Sequence, residues 1–141
     1  MTIRYLLDTN VISEPLKKTP DPLVMTNIKY YQDEIAIASQ VFYELTRGAD
    51  QLTKSKKRTD ILKYIKSFVS TIPILPYDKT AANWHGKEMS RLQKLGQTPA
   101  FLDSQIAAVA KVNDLILVTR NTKDFENFLG LSLENWFSNK Q

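Results

Sequence analysis

Apolar residues follow two rhythms along this chain. Short runs of branched and aliphatic side chains at 3–7, 35–38, 72–75 and 115–119 have the length and composition of buried strands. Between them, apolar residues recur at helical spacing. The pattern predicts a strand over 3–7, a helix from about 10 to 18, a break at Pro20-Asp-Pro22 and a helix to about Tyr31. Strand 35–38 leads into a helix capped by Ser39, and a long helix covers roughly 55–70. Strand 72–75 carries Pro73, which fits an edge or a strand start. Asp78 caps a helix that runs to about Leu95 and ends at Gly96. The Gln97-Thr-Pro99 loop opens a helix over 100–110, and strand 115–119 precedes a helical turn from about 122 and a last short strand at 131–133. Strands alternating with helices predict an α/β fold, with a mainly parallel central sheet of four to five strands flanked by helices on both faces. No repeat, low-complexity tract or linker divides residues 1–141, so a single domain is expected.

Carboxylates interrupt this pattern at telling places. Asp8 directly follows the first apolar run and precedes Thr9 and Asn10. Ligand sites of open α/β sheets lie just outside the carboxyl ends of strands, so Asp8 is either a metal ligand or the cap of the next helix. Glu44 lies on the helix face it shares with Val41, Leu45 and Gly48. Asp103 shares the face of Ile106, Ala107 and Ala110. A half-buried ionised carboxylate is costly unless it is paired or coordinates a cation, and three in separate segments call for a common positive partner. Thr119, Asn121 and Asp124 form a fourth polar cluster after strand 115–119, where, on this segment alone, an ordinary turn into a short helix accounts for them better than a site does.

Composition narrows the chemistry. The chain has no cysteine and one histidine, His85, which excludes thiol catalysis and disfavours zinc. His85 is expected on a helix surface or partly packed. There is no G-x-S-x-G elbow and no glycine-rich phosphate loop. Oxygen ligands remain, and these suit Mg²⁺ or Mn²⁺. The net charge is +4, with Lys54, Lys56, Lys57, Arg58, Lys63 and Lys66 in one cluster and Lys87, Arg91 and Lys94 in another. Basic clusters beside an acidic centre fit a polyanionic substrate, unless they are simply the solvated faces of two helices. No apolar stretch approaches a membrane span, no secretory leader is evident, and the lack of disulfides makes the cytoplasm the expected location.

The segments Leu-Leu-Asp-Thr-Asn-Val-Ile-Ser (6–13), the Glu44 helix, Thr-Pro-Ala-Phe-Leu-Asp-Ser-Gln-Ile-Ala-Ala (98–108) and Leu-Val-Thr-Arg-Asn-Thr-Lys-Asp-Phe (117–125) resemble the PIN-domain family. Within it, the chain is similar to the VapC-type toxins of type II toxin–antitoxin modules. The resemblance spans almost the whole chain. It implies a PIN-like fold and a Mg²⁺- or Mn²⁺-dependent endoribonuclease, with Asp8, Glu44, Asp103 and Asp124 as metal-binding acids. Asn10, Thr119 and Asn121 would support them, with Asn121 a rival to Asp124 for the fourth position. It also implies an RNA substrate, a cognate VapB-type antitoxin, a homodimer and a toxin–antitoxin hetero-oligomer. Two other readings compete. A phosphohydrolase of haloacid-dehalogenase type would use Asp8 as nucleophile, but it needs a second Asp where this chain has Asn10. A non-catalytic RNA-binding domain would gain nothing from repelling acids.

Overall fold

The computed structural model describes residues 2–139. Five strands form one parallel sheet: β1 (Tyr5–Leu7), β2 (Ile35–Ala38), β3 (Ile74–Leu75), β4 (Ile116–Val118) and β5 (Leu133–Glu134), in the order β3-β2-β1-β4-β5. Six helices connect and cover them: α1 (Thr9–Ile12), α2 (Pro22–Tyr30), α3 (Ser39–Asp50), α4 (Lys56–Ser67), α5 (Lys79–Lys94) and α6 (Phe101–Val112). Every residue of β1 and β2 is buried, as expected where helices cover both faces of a parallel sheet. The core gathers around Leu6, Leu7, Ile35, Ile37, Ile106 and Leu117, all fully enclosed. The strand order grows outward in both directions from β1, so a topological switch lies between β1 and β4.

Several elements differ from the sequence expectation. The helix expected over 10–18 stops at Ile12 and gives way to a 3-10 turn over Glu14–Leu16. Pro15 has no N–H to continue an α-helical ladder, and the Ser13 hydroxyl donates to the Thr9 carbonyl at 2.6 Å. The long helix ends at Ser67, with a separate 3-10 turn over Val69–Thr71. β3 starts only after Pro73, whose carbonyl accepts from the Ile37 N–H at 3.1 Å although it can donate nothing itself, and β3 is indeed an edge strand. Ser39 is the first helical residue rather than a cap, because Ala38 passes straight from strand into α3. The last strand is displaced to Leu133–Glu134.

Candidate active site

Asp8 ends β1 and caps α1. Its backbone N–H donates to the Val118 carbonyl at 2.9 Å, which locks it against the end of β4. One carboxylate oxygen accepts the Thr9 N–H and the other the Thr119 hydroxyl, both at 2.8 Å. Thr119 is wholly buried and follows β4, and its oxygen also accepts the Asn121 N–H at 3.1 Å. The Asn10 side-chain amide donates weakly to Thr119 at 3.4 Å and to Asp8 at 3.5 Å, while its carbonyl accepts the Arg120 N–H at 3.1 Å. The two strand ends are thus laced into one polar rim. Asp8 is both a helix cap and the most deeply buried acid of the group, 6% exposed. Burial pushes its pKa up, the Thr119 and Thr9 hydrogen bonds oppose this, and the Asp124 charge adds to the rise.

Glu44 is half-buried on α3 and accepts the Thr9 hydroxyl at 2.7 Å. Thr9 therefore joins Asp8 to Glu44, one oxygen acceptor on either side. Asp103 sits half-buried in the first turn of α6, above the buried Ile106 and Ala107. Its pKa is pushed up to about 6, first by burial and then by the charges of Asp8, Asp124 and Glu44. The charges of the three other acids thus bear on that one side chain, while in direct geometry Thr9 links Asp8 to Glu44 and one cavity is lined by Asp103 and Asp124. Asp124 is exposed, on a 3-10 turn over Thr122–Asp124 that follows β4. Asn121 meets the cluster through its backbone, its N–H donating to Thr119 and its carbonyl accepting the Asp124 N–H at 3.0 Å. Among the described residues, no three carboxylate, imidazole or thiol groups are drawn tightly enough together to enclose a metal ion. The donors available to a cation are all oxygens.

Two separate clefts border the acids, one at Glu44 and one at Asp103 and Asp124. A groove of about 910 Å³ runs from Glu44 between α3, α4 and the Glu14–Leu16 turn, and Lys17, Lys18, Lys56 and Lys57 line it with Leu16, Leu45 and Ile61. A smaller cavity of about 380 Å³ opens between Asp103 and Asp124, walled by residues 97–100, Asn127 and Phe128. Arg91, a member of the second basic cluster, is engaged by Glu88 through two hydrogen bonds at 2.7 and 2.9 Å. His85, expected on the surface or partly packed, is 3% exposed and bonded on both ring nitrogens.

A family model described as "PIN domain" matches residues 5–128. The chain belongs to the PIN-domain family. This PIN-domain protein is 34% identical over 134 residues to the tRNA(fMet)-specific endonuclease VapC of Shigella flexneri, a match covering 95% of this chain and 98% of the relative. Its fold superimposes on a DNA-bound VapBC structure from Salmonella typhimurium with a TM-score of 0.83 and 28% identity, covering 95% of this chain and 98% of that one. A VapBC-5 structure from Mycobacterium tuberculosis, described as a member of the VapBC family of toxin–antitoxin systems, aligns with a TM-score of 0.68 and 26% identity over 95% and 96% of the two chains. The link that Thr9 makes to Glu44, and Glu88 on α5, were not read from the sequence. A hydroxyl immediately after a strand-end acid was the available signal for Thr9.

Proposed function

We propose that this PIN-domain protein is a divalent-metal-dependent endoribonuclease and the toxin of a type II toxin–antitoxin pair, built as a single nuclease domain. The observation that carries the reading is the state of Asp103, which is pushed up to about 6 by burial and by the charges of Asp8, Asp124 and Glu44. Such repulsion is relieved when a cation joins the cluster. Oxygen-only donors with neither thiol nor free imidazole suit Mg²⁺ or Mn²⁺. Asp8 and Asp103 would hold the ion, with Glu44 and Asp124 completing the oxygen set. When bound, the ion supplies Lewis acidity at the scissile phosphate and lowers the pKa of water.

The chain's own residues supply the rest. Thr119 and the Thr9 N–H fix both oxygens of Asp8, and the Thr9 hydroxyl orients Glu44. Lys17, Lys18, Lys56 and Lys57 give the RNA backbone a cationic approach that ends at Glu44. Hydrolysis by water needs no histidine, which agrees with the enclosure of His85. A phosphohydrolase reading loses support because Asn10, where that chemistry requires an acid, is tied to Thr119 and to the Arg120 backbone.

A toxic ribonuclease needs a silencing partner, and the groove beside Glu44 offers one a seat. Its apolar Leu16, Leu45 and Ile61 suit a helical antitoxin segment of VapB type, and Glu44 suits an Arg or Lys from it. The active species would be a cytoplasmic homodimer, silenced in a hetero-oligomer. Among the described residues, no helix is long and apolar enough to cross a membrane. Incubating purified cellular RNAs with the protein and Mg²⁺ or Mn²⁺, with and without chelator, and mapping the cuts tests the nuclease reading. Full activity in excess chelator, or none with either metal, would overturn it. Co-expression with the neighbouring open reading frame tests the toxin reading, since a harmless protein with no co-purifying neighbour is no toxin of this kind.

A further inference from the structure

Helix α5 gives no carboxylate to the cluster, yet its inner face reaches both walls of the cavity between Asp103 and Asp124. His85, Glu88 and Arg91 recur every three residues and so lie along one side of the helix. His85 Nε2 is 2.7 Å from Ser104 Oγ, and Nδ1 is 2.7 Å from the Tyr77 hydroxyl. Ser104 gives its one proton to the Phe101 carbonyl at 2.7 Å, so it accepts from Nε2–H. Burial lowers the His85 pKa and so favours the neutral ring, whose Nδ1 then accepts from the Tyr77 hydroxyl. The donor chain runs from Tyr77 through His85 and Ser104 into the first turn of α6, which holds Asp103. That turn has no side-chain cap of its own.

Glu88 and Arg91 tie down the opposite wall. Glu88 is buried, receives Arg91 on both oxygens, and accepts the Leu129 N–H at 2.5 Å. Arg91 Nη2 continues to the Asn127 carbonyl at 2.8 Å. Between these anchors, Phe128 packs on Trp84 of the same helix, with ring centroids 6.1 Å apart. The segment so clamped begins just beyond Asp124, whose own 3-10 turn also lacks a side-chain cap.

We propose that the His85–Glu88–Arg91 face of α5 is a positioning device that sets the separation of Asp103 and Asp124 and thereby the affinity of the acids for their cation. Asp103 and Asp124 repel each other and sit on separate segments, neither capped locally, so something behind them must hold the spacing. The face contacts both segments and none of the four carboxylates.

The inference rests on the metal-dependent reading above. Its test is Mn²⁺ affinity of the RNA-free protein, measured by water-proton relaxation, together with kcat and KM on RNA. His85→Leu, Glu88→Gln and Arg91→Ala are each expected to weaken Mn²⁺ binding about tenfold or more, the usual effect of losing groups that orient ligands. They should lower kcat with little change in KM and stay folded by circular dichroism. His85→Gln keeps an N–H for Ser104 and should restore affinity to within about threefold. Leu92→Val, a core change on the same helix outside the network, should cost stability but leave Mn²⁺ affinity as it was. Should Arg91→Ala fail to fold because it strands the buried Glu88 charge, Glu88→Gln/Arg91→Gln removes the pair together and takes its place. Parent-like Mn²⁺ affinity and kcat in His85→Leu and in the Arg91 variant would overturn the inference and leave the nuclease standing. Equal weakening by Leu92→Val would overturn it too, because general stability would then account for the loss. A parent protein that neither binds Mn²⁺ nor cuts RNA brings down the nuclease reading and the inference with it.

Discussion

The Thr119 hydroxyl donates to Asp8 Oδ2 at 2.8 Å, joining residues 111 positions apart in the chain. The bond stabilises the ionised form of a carboxylate that burial would otherwise protonate. Thr119→Val should therefore push the Asp8 pKa further up and move the acid limb of the RNA-cleavage pH profile to higher pH. It should also cost about 1–2 kcal/mol of stability, as a buried oxygen loses its donor. Thr119→Ser, which keeps the hydroxyl, should recover most of both losses. Urea unfolding and a pH–rate profile of the three proteins check this.

Asp103 has an ordinary pKa of 3.8 and a folded-state value pushed up to about 6. A folded state that holds its proton more tightly than the unfolded chain is most stable at low pH, loses that advantage as pH rises between the two values, and is level above them. Asp103→Asn removes the ionisation. Without metal it should be more stable than the parent at pH 7.5 by about 1 kcal/mol, after discounting for a group that is only half-buried. That corresponds to about 3 °C in Tm, with no gain at pH 4. The same variant should lose RNA cleavage and should gain no thermal protection from Mg²⁺. A pH series of thermal melts with and without Mg²⁺ reads all three outcomes.

Lys18 and Lys57 line the groove that ends at Glu44. If RNA phosphates lie there, Lys18→Gln/Lys57→Gln should weaken RNA binding at every salt concentration. The slope of log affinity against log salt should become shallower by about 0.7 for each phosphate of a single strand that is no longer neutralised. Filter binding from low to moderate salt, using Asp8→Asn as the parent to prevent cleavage, measures the slope. An unchanged slope would place the RNA elsewhere.

Gly96 ends α5 at a φ of +77°, with its N–H bonded to the Gln93 carbonyl and the Gln97 N–H bonded to the Leu92 carbonyl. An added Cβ there would meet no neighbour within 4 Å, so the cost of substitution is conformational and not steric. Gly96→Ala should destabilise by about 1 kcal/mol and Gly96→Asn by less, because Asn tolerates the left-handed region. Chemical denaturation curves distinguish the two.

Much of this architecture was legible because single residues broke a local pattern. Asp8 closes an apolar run, and Glu44 and Asp103 sit on helix faces that otherwise carry core side chains. The parallel sheet followed from the alternation of strand and helix rhythms. What the sequence hid depends on which segment lies against which. The Thr9–Glu44 bond spans 35 positions, and His85 is buried only because Tyr77 and Ser104 satisfy both its nitrogens. Arg91 reads as a member of a basic cluster until Glu88 is seen beneath it. The family resemblance left Asn121 and Asp124 as rivals, and sequence alone could not show that the Asp124 charge adds to the raised pKa of Asp8 and Asp103 or that Asn121 gives Thr119 a backbone N–H. The early end of α1 was written in Pro15, within the stretch expected to be helical.

The pairing of β1 with β4 at the centre of the sheet sets when the acids can assemble during synthesis. β1 is made well before its neighbour on that side, Ile116–Val118, whose Ile116 pairs with Tyr5. A nascent or truncated product that stops short of β4 carries Asp8 and Glu44 but lacks Thr119, which holds Asp8, and Asp124, which faces Asp103. Pairings this distant in sequence form late. On the proposed reading, the ribosome that makes the toxin is shielded from it until β4 has been made, and an antitoxin made alongside has that interval in which to be ready.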